Sequence, residues 1–95
     1  MLEKFLNYEI VINCRTETEA RIFVDVMANM GYRWRGGEPM TKLFYDRHRH
    51  LTCYGYARGL VFTNIDYYDF TDIAIIRFED FMNESYVVSN KHKEV

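Results

Sequence analysis

The chain has 95 residues, 48% of them apolar, and a formal net charge of −2, which marks one small folded domain and excludes disorder. A domain of this size buries roughly 60–65% of its unfolded surface and keeps about 5–10 kcal/mol of net stability, with little spare for a deep cleft. No run approaches the roughly 18 apolar residues of a membrane helix, and a pI near 5.9 without a dominant basic stripe argues against direct nucleic-acid binding.

The opening MLEKFLNYEI sets an acid and a lysine inside what would be the apolar part of a signal peptide. Cys14 and Cys53 show no C-x-x-C spacing. The expectation is a reduced, cytoplasmic protein with both thiols in its interior. Residues 8–14, YEIVINC, then alternate as a strand does, with Tyr8, Ile10, Ile12 and Cys14 on one face.

The period changes at Thr16, which with Glu19 has the T-x-x-E spacing of a capping box. Ala20, Phe23, Val24, Met27 and Met30 recur at helical spacing, and Gly31 stands where a left-handed cap is wanted. The spacing predicts a helix over 16–30 packed on a sheet. YRW (32–34) reads as a short strand stopped by Gly36-Gly37-Glu38-Pro39, and KLFYD (42–46) as another. LTCYGYA (51–57) and LVFTN (60–64) form a hairpin about Arg58-Gly59.

Residues 66–72 make an acidic, aromatic connection. IAIIRF (73–78), apolar on both sides, suits a central strand. FEDFMNE adds a helical turn, and residues 85–95 read as a flexible polar tail. The expected fold is α+β: a single domain over 1–95, β-α-β followed by an antiparallel meander, with one main helix on a sheet of about four to five strands.

Three stretches could carry contacts. In YDRHRH (45–50), extended chain would point Asp46, His48 and His50 one way and Tyr45, Arg47 and Arg49 the other. The readings are a solvated loop, an anion patch or a metal site. H-x-H alone is a weak metal signal, and arginine matches phosphate with a bidentate fork, so the anion option outranks the metal and no cofactor is expected. On the hairpin, Thr52, Tyr54, Tyr56 and Arg58 share one face, opposite Leu51, Cys53, Gly55 and Ala57. With the small side against the helix, Tyr54, Tyr56 and Arg58 are free to stack flat rings and pair with phosphate, or to pack on a partner subunit.

The third stretch is GYRWRGG (31–37). Trp34 either closes the core or serves as a contact. Arg33 and Arg35 lie on the opposite face, and the Gly36-Gly37 turn could offer amides to an anion. The candidate ligand residues are therefore Arg33, Arg35, Gly36, Gly37, Tyr45, Arg47, His48, Arg49, Tyr54, Tyr56 and Arg58. No nucleophile motif or phosphate-binding glycine loop is present, and Asp66, Asp69 and Asp72 look like a solvated acidic edge, so an enzyme is not expected.

A strand ending in Cys14, a capped helix, and then Gly31-Tyr32-x-Trp34-x-x-Gly37 are similar to small uncharacterised proteins of bacteriophage genomes. That resemblance, over about the first two-thirds of the chain, implies an accessory, counter-defence role exercised by binding in the host cytoplasm. Two partners follow. One is a nucleotide-like signal sequestered by the arginines and tyrosines, in a homo-oligomer whose interface supplies the pocket. The other is a host defence protein or nuclease inhibited by direct contact, with Asp66–Asp72 imitating nucleic acid against a basic groove.

Overall fold

The side chain of Thr16 starts the main helix. Its Oγ1 accepts from the amide of Glu19 at 3.1 Å, while Glu19 Oε1 accepts from the amide of Arg15 at 2.8 Å. Helix α2 (Glu17–Asn29) follows. It closes as a Schellman motif, with Gly31 at φ +95° and the amides of Gly31 and Tyr32 donating to Ala28 O and Met27 O at 3.0 Å. The computed structural model describes residues 1–84, so the expected tail over 85–95 lies outside the described residues.

Strands β1 (Ile10–Cys14), β2 (Thr52–Tyr56), β3 (Leu60–Asn64) and β4 (Ala74–Arg77) form one sheet in the order β3-β2-β1-β4. The β1–β2 and β2–β3 pairs are antiparallel, and β4 runs parallel to β1. The domain is thus α+β, as expected. The meander is not: after β3 the chain crosses over to the far side of β1, which makes IAIIRF an edge strand instead of a central one. Its apolar content serves two faces at that edge, Ile76 toward the helices and Ile75 left 37% exposed.

Phe5, Phe23, Trp34, Tyr54 and Phe81 build the core between the sheet and a helical layer. That layer comprises α1 (Leu2–Leu6), α2 and a helical stretch over 78–84. The sequence reading did not anticipate α1, and the turn expected in FEDFMNE is helical throughout its described length. The other sheet face carries Val11 and Cys53 beneath Tyr8 and Tyr68. The hairpin is consequently turned over relative to expectation. Tyr54 faces α2, its ring stacked on Phe23 at 5.6 Å, and Cys53 and Gly55 face away. A Cβ on Gly55 would stand 2.8 Å from the Tyr8 ring, so the small residue makes room for a tyrosine and not for the helix.

The two expected strands between α2 and β2 are absent. YRW contributes only an isolated bridge from Trp34 to Leu60, and KLFYD enters the short helix α3 (Tyr45–His48) through Phe44 at φ +57°. Two aromatic tips hold that loop: Trp34 Nε1 donates to Lys42 O at 3.1 Å and Tyr54 OH to Leu43 O at 2.6 Å. Polar heads of buried aromatics thereby satisfy carbonyls that no strand satisfies.

Gly59 locks this arrangement. Its φ is +132°, and a Cβ there would lie 2.7 Å from Arg35 Cα. Gly59→Ala should cost about 3 kcal/mol, from backbone strain and displacement of the Trp34–Arg35 segment together. Gly31→Ala has positive φ but nothing within 4 Å, and should cost only about 1 kcal/mol. Urea unfolding of the two variants measures the difference.

Candidate interaction surfaces

The expected ligand residues do not form a single site. Arg33 and Arg35 flank the β2–β3 turn that carries Arg58, with Leu60 N donating to Arg33 O at 2.9 Å and Gly59 set against Arg35. Arg33 folds back on the end of α2, its Nη1 donating to Ala28 O at 3.2 Å and Tyr32 O at 2.8 Å. Arg58 stands in the β2–β3 turn at φ +62°. Tyr45 donates its hydroxyl to Arg15 O at 2.8 Å and lines, with Arg49, Arg21, Glu17 and Asp46, an open groove of about 450 Å³ beside α2. Tyr56 is half-buried, edge-on to Tyr32 at 5.4 Å.

Tyr54 cannot stack on a ligand. It is fully buried, its hydroxyl is committed to Leu43 O, and burial raises its pKa well above the usual phenol value. The glycine turn does not form an anion cradle either. The amide of Gly37 donates to Trp34 O at 3.0 Å, and the Glu38 carboxylate lies 2.5 Å from where a Gly36 Cβ would be, so the turn presents negative charge. Trp34 is core, 4% exposed.

Two further surfaces carry exposed or accessible aromatic rings. The first is a groove of about 390 Å³ along β3, lined by Trp34, Arg35, Gly36, Glu38, Phe44 and residues 60–62. Phe44 and Phe62 stack at 4.4 Å with their planes 7° apart, and the Arg47 guanidinium stands 5.9 Å from the Phe62 ring centre. His48 Nδ1 is 3.5 Å from Asn64 Nδ2. Arg35, Gly36, Arg47 and His48 are therefore neighbours of this groove. Its aromatic floor was missed, because an isolated Phe44 and a strand Phe62 carry no pattern linking them. Asp46, His48 and His50 do not converge, and no group of three or more metal-binding side chains occurs among the described residues.

The second surface is the connection 66–72. Phe70 is 101% exposed and Tyr67 65% exposed, between exposed Asp66, Asp69 and Asp72. The segment is nonetheless tied down. A 3₁₀ turn, Ile65–Tyr68, is capped by Asn64, whose Oδ1 accepts from Asp66 N at 2.9 Å. Tyr68 is 3% exposed, and its hydroxyl donates to Thr63 Oγ1 at 3.0 Å and meets the Tyr8 hydroxyl at 3.2 Å. Thr71 Oγ1 donates to Tyr68 O at 3.0 Å and accepts from Ile73 N at 3.2 Å. One tyrosine anchors a prong on which two other aromatic rings and three carboxylates face water.

Comparison with known proteins finds no matching family model, curated protein or solved structure. Among the described residues, no helix is long and apolar enough to cross a membrane.

Proposed function

We propose that this protein acts by binding, and that it inhibits a protein partner by direct contact through the prong 66–72. The fully exposed ring of Phe70, held out by an anchored turn between aspartates, carries this reading. Water-exposed phenylalanine contributes nothing to folding, whereas a buried aromatic anchor is what dominates binding energy at an interface. Because the prong is already ordered, little conformational entropy remains to be lost on docking. The matching surface is an apolar pocket rimmed by lysine or arginine, as in a basic groove that takes nucleic acid.

Capture of a nucleotide-like signal needs Tyr54 and Tyr56 free to stack a base beside Arg33, Arg35, Arg47, Arg49 and Arg58, and a Tyr54 that is buried with its hydroxyl on Leu43 O favours the contact reading instead. It also accords with the counter-defence role that the resemblance to phage accessory proteins implies. Phe70→Ala should leave the unfolding midpoint unchanged, because an exposed side chain is worth within about 0.5 kcal/mol of stability. The same change should weaken partner retention at least about 30-fold, the effect of a hot-spot residue. Affinity capture from host extract, comparing wild type with Phe70→Ala, checks this. Equal recovery of the same proteins by both would refute the prong, and a nucleotide that raises the melting point would favour capture instead.

A further inference from the structure

The prong has a complementary surface on its own chain. The β3 groove offers the stacked rings of Phe44 and Phe62 with Arg35 and Arg47 beside them. Among the described residues neither arginine is in an ion pair. The groove also runs along open sheet edge. Leu60 directs its amide to Arg33 O and its carbonyl to Arg35 N, away from β2. By the two-residue period of a strand, Phe62 points its backbone groups the same way, and among the described residues nothing pairs with them. Glu38 also lines the groove, at its Gly36 end, so an acidic, aromatic segment fits with its carboxylates at the Arg47 end, beside the stacked rings.

The prong cannot reach its own groove. It leaves β3 at Asn64, and Tyr68 pins it among Val11 and Cys53, on the sheet face opposite that of Phe44 and Phe62. We infer that the occupant is a second copy of this chain, with Phe70 against the Phe44–Phe62 stack and the prong's aspartates toward Arg47. Donor and acceptor are different surfaces of one molecule, so the contact is heterologous and either closes into a ring or propagates. This rests on the prong reading and adds a consequence: assembly covers the surface that takes the partner, so self-association and partner binding compete.

Sedimentation equilibrium across a range of protein and salt concentrations tests it. Wild type should rise above its 11.5 kDa monomer mass with concentration, and less so at high salt. Asp69→Arg and Arg47→Asp should each be monomeric, since each sets like charges against one another in a self-contact. Mixed in equal amounts they should associate again, because one variant keeps a native prong and the other a native groove, while the two altered surfaces match. Phe70→Ala, which leaves every charge in place, should also be monomeric. The inference is overturned if wild type stays monomeric throughout, or if assembly survives Phe70→Ala and both charge reversals. It is likewise overturned if a free mononucleotide, and not a second chain, occupies the groove and raises the melting point. A monomeric wild type whose partner retention still depends on Phe70 would refute self-association and leave the prong reading standing.

Discussion

Trp34→Ala is expected to lose about 3–5 kcal/mol of folding stability, the range for truncating a buried large aromatic. Trp34 meets Phe44 edge-on at 4.9 Å and packs on Tyr54 at 5.9 Å and Phe62 at 6.3 Å. Truncation would open a cavity among three rings and leave Lys42 O without the indole donor. Against a net stability of about 5–10 kcal/mol, a variant so weakened is marginal at 37 °C. Trp34→Phe keeps most of the packing and should lose roughly 1–3 kcal/mol, mostly for the orphaned carbonyl. Denaturant unfolding of both separates the roles: a tryptophan serving as a contact would leave stability unmoved in either variant.

Stability should collapse on the alkaline side. Burial pushes up the acids of Cys14, Cys53, Tyr54 and Tyr68, Cys53 to about 12. Each keeps its proton in the fold at a pH where the unfolded chain, with values of 9.0 for cysteine and 10.0 for tyrosine, has released it. Stability is therefore full below pH 9 and falls as pH climbs toward the folded values, by about 1.4 kcal/mol per pH unit for each group. Between pH 9 and 11 the losses from the four groups add, and together they erode much of the net stability. A tyrosinate absorbance titration should show Tyr54 and Tyr68 ionising only with cooperative unfolding, in step with loss of circular dichroism. Ionisation without unfolding would contradict their burial.

The sequence was most informative where local rules agree with packing. Thr16, Glu19 and Gly31 mark both ends of α2 by the chemistry of unpaired backbone groups, and the alternation of YEIVINC places Ile10, Ile12 and Cys14 together toward the helix. Tyr8, grouped with them by the same alternation, precedes the strand at φ +60° and lies on the opposite face with Val11 and Cys53. Alternation also paired Tyr54 with Tyr56, but it says only which residues share a face, never which face is covered. Gly55 suggested the helix side because it is small; the ring that needs its space belongs to Tyr8, on the other side. YRW and KLFYD have strand composition, yet YRW pairs only through the single Trp34–Leu60 bridge, and Trp34 and Tyr54 take over the Lys42 and Leu43 carbonyls of KLFYD that would have joined a ladder.

For the contact surfaces the limit was similar. Alternation in the sequence grouped Tyr54 with Arg33, Arg35, Arg47, Arg49 and Arg58, but the fold buries Tyr54 and brings only Arg35 and Arg47 to the Phe44–Phe62 groove. The acidic, aromatic character of 66–72 was legible, but its exposure was not. That depends on Tyr68, Thr63 and Tyr8 meeting from three segments of the chain. Only the fold decides that Tyr68 turns inward while Phe70 turns out.

A photoactivatable phenylalanine analogue placed at Phe70 tests the central claim most directly. The matched control places it at Asp25, exposed on α2, and both proteins are irradiated in the presence of cell extract. A defined protein crosslinked from position 70 and not from position 25 is the predicted result. Crosslinking from position 25 alone would contradict the account and move the contact surface to the helical face.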